Sequence, residues 1–206
     1  MTLILSLETS AQMCSVALTD NGNVIAEVSE ELSHGQSAVL MDFIGRVFEK
    51  SGCKAQQLTH VAVNRGPGSF TGIRLGLAAA YGFSVAGKLP ILGLSSFQIH
   101  RYLAGQGAML IALDTRRDDF YGCFYGEKDV QPQWTKIMTV QDIKGEKVQL
   151  ITDKLISGTQ GEFHEKVQQL TAKNGGLAAW HFLQQGKIDV FSKEPFYLRP
   201  AAVYEK

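Results

Sequence analysis

The sequence predicts an α/β protein whose two halves repeat one another, and three observations carry that reading. Residues 109–115 (MLIALDT) echo residues 3–9 (LILSLET), each an apolar strand, an acid and a threonine, about half the 206-residue chain apart. A second strand follows each match, 119–125 (DFYGCFY) answering 13–19 (MCSVALT). Strand and helix signals alternate between 59 and 104, as in an α/β fold. A half-length period with agreeing neighbours indicates a duplicated two-lobe fold. The expected division is a lobe over 1–105 and a reduced duplicate over 106–206.

The elements follow in order. Residues 3–8 read as a buried strand, and 13–19 and 24–30 flank Asn21-Gly22, a hairpin signal because both residues tolerate positive φ. A helix is expected over about 36–50, with apolar residues at 38, 39, 40, 41, 43, 44, 47 and 48. That arc is too wide for one buried stripe, so the helix is either deeply buried or presents a second apolar face to another molecule. A strand at 59–64 runs into a glycine-rich loop. A helix at about 70–86, a strand at 90–94 and a helix at 96–104 come next. In the second half, further strands are expected at 134–140 and 147–152, and helices near 161–173 and 176–186.

Composition is that of a globular protein, with 45% hydrophobic and 19% charged residues. Charge-free stretches such as Leu75–Gly87 fall short of the roughly 18–20 residues that span a bilayer, so no membrane association is expected. The N-terminus has no basic region and Glu8 interrupts its apolar run, which argues against a secretory signal. Cys14, Cys53 and Cys123 are widely separated and read as buried, reduced thiols of a cytoplasmic protein. Net charge is zero but uneven: residues 50–113 contain no acid and six bases, Lys50, Lys54, Arg65, Arg74, Lys88 and Arg101. Such a stretch suits a surface that meets phosphates or an acidic partner, and equally a buried apolar core.

The segment Arg65–Leu77 (RGPGSFTGIRLGL) is the most distinctive in the chain. It is not a phosphate-binding P-loop, since no Gly-Lys-Ser/Thr closes it, and Gly72 falls one residue late for G-x-G-x-x-G. Pro67 fixes one φ while Gly66 and Gly68 allow a sharp strand-to-helix turn, and Ser69 or Thr71 is placed to cap the helix. At 100° per residue, Gly72, Gly76, Ala79, Phe83 and Ala86 share a side that another element can approach closely. Arg74, Tyr81 and Lys88, with Leu77 beside them, point the other way as candidate interface residues.

The stretches GPGSFTGIRLGLAAAYGFSVAG, PILGLSSFQ, ILSLETS…CSVAL, LDTRRDDFYGCFY and PFYLRP closely resemble the TsaB (YeaZ) family. Its members are accessory subunits in bacterial tRNA threonylcarbamoyladenosine synthesis. The likeness is weakest between 127 and 194, where the second lobe is expected to be shortened. The resemblance implies the two-lobe fold of the actin/Hsp70/sugar-kinase superfamily, with mixed sheets flanked by helices. It also implies a non-catalytic scaffold that activates TsaD, the subunit that transfers the threonylcarbamoyl group to the adenosine next to the anticodon.

By that resemblance, two N-terminal-lobe helices pair with the same helices of TsaD, or with a second copy when TsaD is absent. The candidate contact residues are Val39, Phe43, Val47, Arg74, Leu77 and Tyr81, with Gly66, Pro67, Gly68, Gly72 and Gly76 shaping the loop. The complex also recruits the ATPase subunit TsaE and acts on tRNA; overall neutrality argues against strong independent tRNA binding. No catalytic residue, metal site or catalytically bound cofactor is expected, with a nucleotide at the partner interface left open. TsaD's paired histidines correspond to a stretch holding His100 alone, and no HxxxH or HExxH joins His34, His60, His100, His164 and His181. Glu8 and Asp114 stand where the superfamily's magnesium-organising acids lie. The loops after them (TSAQMC and TRRDDF) lack phosphate-cradling glycines, though Arg116 and Arg117 can meet an anion. The competing readings are an independent ATP-binding small-molecule kinase or ATPase, and a peptidase for which no metal motif or nucleophile–base pair is evident.

Overall fold

The computed structural model describes residues 1–32, 34–129, 131–144, 148–156, 165–187 and 191–199. It divides into two units, Met1–Leu103 with Gln169–Pro195, and Ala104–Gln168 with Phe196–Lys206.

The first unit is built on β1 (Leu3–Glu8), β2 (Met13–Asp20), β3 (Asn23–Glu31), β4 (His60–Asn64) and β5 (Ile91–Leu94), in the order β3-β2-β1-β4-β5. Around it run α1 (Gln36–Ser51), α2 (Phe70–Gly87), α3 (Ser96–Ala104) and α5 (Ala172–Gln184). β1 and β2 are buried almost end to end, so their apolar residues serve two faces rather than alternating. α2 lies over the face that carries Leu7 and Val63, since Gly76 approaches Val63. α5 covers the other: its Gly176 approaches Ser6 and Thr19, and its Ala172 amide donates to Ser15 Oγ at 2.7 Å. Lys173 also meets Glu27 of β3 at 3.2 Å on that face. Ala26 and Val28 of β3 are buried on the α2 side, where α1 packs across β2 and β3.

The second unit contains β6 (Met109–Asp114), β7 (Phe120–Tyr125), β8 (Trp134–Met138), α4 (Val140–Lys144), β9 (Gln149–Thr152) and β10 (Glu165–Val167). Its sheet order, β10-β9-β6-β7-β8, is the first order with each strand replaced by its counterpart. β1 pairs antiparallel to β2 and parallel to β4, just as β6 pairs antiparallel to β7 and parallel to β9. The repeat seen in the sequence is therefore a repeat of topology. The second copy is reduced: the helix after its hairpin has 5 residues in α4 against 16 in α1. Its core gathers Leu110, Ala112, Phe120, Met138, Ile143, Leu150 and Ile156.

Three expectations need correction. Residues 165–167, inside the helix expected at 161–173, form β10, because pairing beside β9 outweighs local helix preference. Residues 161–164 of that same expectation lie outside the described residues. The last helix starts at Ala172 rather than 176, capped by Thr171 and Asn174, whose Oδ1 accepts from the Thr171 amide at 2.8 Å. Third, a single cut after residue 105 leaves out a return of the chain, since Gln169–Pro195 joins the first unit and α5 packs on β1 and β2.

Cys14 and Cys123 are buried free thiols, pushed up to about 11 and about 12 by desolvation, while Cys53 is half-buried. Among the described residues no helix is long and apolar enough to cross a membrane.

Candidate functional site

The glycine-rich segment joins β4 to α2, and a buried polar cluster fixes its course. Glu8, at the end of β1, is buried. Its Oε1 accepts from the Ser10 amide at 2.7 Å and Ser10 Oγ at 2.6 Å, and its Oε2 accepts from Asn64 Nδ2 at 2.6 Å. Burial pushes the Glu8 carboxyl above its ordinary value, and the hydrogen bonds from Ser10 and Asn64 oppose that shift. Asn64 Oδ1 in turn accepts from the Gly66 amide at 2.9 Å, and Ser96 Oγ donates to the Pro67 carbonyl at 2.8 Å. The Gly66–Pro67 bond is cis. The adjacency of β1, β4 and β5 thus brings Glu8, Asn64 and Ser96 to one end of the sheet.

The glycines make room for the Thr9–Ser10 turn. A Cβ on Gly68 would lie 2.5 Å from the Ser10 carbonyl oxygen, and one on Gly72 1.9 Å from that of Thr9. Gly76 faces Thr9 Oγ1, which donates to the Gly72 carbonyl at 2.7 Å. The Ser69 amide donates to Ser10 O at 2.7 Å, and Ser69 Oγ caps α2 by accepting from the Gly72 amide. At Gly72 and Gly76 the chain's own turn makes the close approach, whereas Ala79 and Phe83, expected on the same side, are half-buried and Ala86 is exposed.

The candidate partner residues separate into two groups. Phe43 and Val47 are buried, forming with Leu40 and Ile44 a stripe spaced three and four apart that faces the chain's own sheet. Leu77, only 5% exposed, packs inward with Ile73, Gly76 and Ala80. These three residues are core, not surface. The inner face of α2 is turned from the expected one because Ile73 and Leu77, one helical turn apart, set it. Val39 is half-buried, while Arg74 and Tyr81 are exposed as expected.

A further stripe lies outward on each helix, apolar on α1 and mixed on α2. On α1 it runs through Ala38, Met41 and Gly45 to the half-buried Phe48, with Met41 63% exposed. On α2 it runs through Arg74, Ala78, Tyr81 and Val85, the last two 43% and 78% exposed. The Arg74 guanidinium lies 3.7 Å from the Phe70 ring centroid, which stiffens it on this face. Gly45 and Gly82 have nothing within 4 Å of a built Cβ. An interior helical glycine costs about 1 kcal/mol relative to alanine, and the chain's own packing gives no reason for either.

In the second unit, Asp114 Oδ2 pairs with Lys154 Nζ at 2.7 Å and its Oδ1 accepts from the Arg116 amide at 3.0 Å. Asp153 accepts from the Asp114 amide at 2.9 Å, and burial raises its carboxyl. Arg116 takes a left-handed φ of 61° and, like Arg117, is exposed. Asp119 is hydrogen-bonded by Thr115 and Arg199, which hold its carboxyl low. His100 is buried within α3. Among the described residues no three His, Cys, Asp or Glu side chains gather as a metal group.

A protein-family model described as "TsaD: tRNA N6-adenosine threonylcarbamoyltransferase" matches residues 23–192. The chain is 29% identical to the tRNA threonylcarbamoyladenosine biosynthesis protein TsaB of Escherichia coli, over 86% of this chain and 73% of that one. The chain belongs to the TsaD-like family, on its TsaB (YeaZ) branch. YeaZ from Pseudomonas aeruginosa matches with a TM-score of 0.76 at 21% identity, over 96% of this chain and 100% of that one. The activator of 2-hydroxyisocaproyl-CoA dehydratase from Clostridium difficile, solved with ADPNP, matches at 0.53 and 8% identity over 93% and 99%. That likeness shows the fold alone.

Thr9, Ser10, Asn64 and Ser96, which hold the loop, do not stand out in the sequence as site residues. One signal was present: Asn64 ends an apolar strand directly before Arg-Gly-Pro-Gly, where an amide can bond both ways.

Proposed function

We propose that this TsaB-family chain is a non-catalytic accessory subunit that docks a TsaD-type transferase through the outer faces of α1 and α2 and so activates it. The observation that carries the reading is the pair of outward stripes, Ala38-Met41-Gly45-Phe48 and Arg74-Ala78-Tyr81-Val85. Their spacing is that of a helix–helix seam, and the open glycines let a partner helix come close. The curated relatives named for tRNA threonylcarbamoyladenosine biosynthesis supply the pathway. The same faces serve a second copy when TsaD is absent, and the work takes place in the cytoplasm with TsaE and tRNA. No cofactor is required of this chain.

The kinase or ATPase reading finds little support at the end of β1. Glu8 is enclosed by Ser10 and Asn64, and the Thr9–Ser10 backbone fills the approach to α2. Reconstitution tests the proposal: purified TsaD, TsaE, threonylcarbamoyl-adenylate and tRNA should give weak modification that rises on adding this chain. Equal modification without it would contradict the accessory role. Tight magnesium-dependent ATP binding by the isolated chain in calorimetry would favour the kinase reading.

A further inference from the structure

β5 is an edge strand of the first sheet, and a short piece of chain from far along the sequence covers it. The Ser192 amide donates to the Gly93 carbonyl at 2.9 Å, and a Cβ on Gly93 would lie 1.8 Å from Ser192 O. Two side chains hold the next residues by their carbonyls. Tyr81 of α2 donates its hydroxyl to Lys193 O at 3.1 Å, and Arg65 of the glycine loop donates from Nη1 to Glu194 O at 3.4 Å. The Glu194 amide closes on Ser192 Oγ at 3.1 Å. Three different elements thus hydrogen-bond to the main chain of Ser192–Glu194, while the Lys193 and Glu194 residues themselves stay exposed and the Glu194 carboxylate also interacts with the Arg65 charge.

Tyr81 also belongs to the outer stripe of α2. A phenol has a single proton to donate, so its hydroxyl cannot hold Lys193 O and serve an acceptor on a docked partner at once. We propose that Ser192–Glu194 is a releasable clasp on the β5 edge, and that a helix seated on the outer face of α2 loosens it by taking the Tyr81 hydroxyl. This rests on the docking reading given above. The clasp restrains the outer face in the free chain, and its release frees the β5 edge when the partner is bound.

The test combines affinity with local exchange. Ser192→Pro removes the amide bonded to Gly93, and with it the Oγ that accepts from the Glu194 amide, without changing a residue of β5. It should bind the purified TsaD-type subunit about three- to tenfold more tightly in calorimetry, the worth of one hydrogen bond. In the wild-type complex the Ser192 amide, followed by NMR, should exchange with solvent at least several-fold faster than in the free chain, with β1 amides unchanged. Tyr81→Phe should produce the same local acceleration in the free chain. A complex that forms with unchanged affinity for Ser192→Pro and an equally protected Ser192 amide would overturn the clasp and leave docking intact. Absence of any complex would overturn docking and the coupling together. An unaffected Ser192 amide in Tyr81→Phe would overturn the latch by itself.

Discussion

The carbonyl oxygen of Thr9 stands 1.9 Å from the place a Cβ on Gly72 would occupy, and Thr9 Oγ1 donates back to the Gly72 carbonyl. Main chain against main chain leaves no flexible group to yield. Gly72→Ala should therefore cost about 2–3 kcal/mol, towards the upper end for overpacked cores, and lower Tm by roughly 5–10 °C. Urea and thermal unfolding measure it; a change below about 0.5 kcal/mol would contradict the contact.

The outward glycines predict the opposite sign. Gly45 and Gly82 have open space around them, so Gly45→Ala and Gly82→Ala should each stabilise the isolated chain by about 0.5–1 kcal/mol. The same changes should weaken association with the TsaD-type subunit, because each adds a methyl where a helix must approach. Stability and binding measured on the same preparations separate the effects; a gain in both would show that no close helix contact exists there.

Leu77 was expected on the outer face and lies in the core instead. Leu77→Asp should then act as a folding mutation, costing about 3–5 kcal/mol as an unpaired buried charge. Circular dichroism and urea unfolding decide: a well-folded Leu77→Asp protein that merely fails to bind would restore the outer placement.

Glu8 links stability to pH. Its folded carboxyl is raised by burial, so the native state takes up a proton at a pH where the unfolded chain, near 4.5, does not. Stability from this group is present below the unfolded value and is lost as pH rises through the folded one. The stability of wild type relative to Glu8→Gln should accordingly grow as pH falls from neutrality towards 4.5. Urea unfolding at pH 7.5 and pH 5 measures it, and a difference that shrinks would mean that the hydrogen bonds from Ser10 and Asn64 outweigh desolvation.

Much of the fold was legible because β1 to β4 and α1 to α3 combine strong local patterns with clear punctuation. Asn21-Gly22 turns the first hairpin, and Ser95 with Gln98 forms a reciprocal cap before α3. The repeat at Glu8 and Asp114 announced a duplication that the two sheet orders carry through. The facing of α2 was not legible. Gly72, Gly76, Ala79 and Ala80 give little hydrophobic contrast, so a helical projection cannot choose between the Ile73–Leu77 side and its neighbour. The glycine loop's anchors were hidden for another reason. Glu8, Asn64 and Ser96 meet only because β1, β4 and β5 lie side by side, a relation that local sequence does not encode. The return of α5 to the first sheet and the three-residue β10 are likewise products of tertiary packing.

Calorimetric titration of the purified TsaD-type subunit with wild type, Met41→Glu and Val85→Glu tests the central claim most directly. Both positions are well exposed on the outer stripes, so each variant should keep the wild-type Tm within about 2 °C, as surface substitutions do. An ionised carboxylate placed in the seam should weaken binding at least 30-fold, about 2 kcal/mol. Wild-type affinity in both variants would contradict docking through α1 and α2.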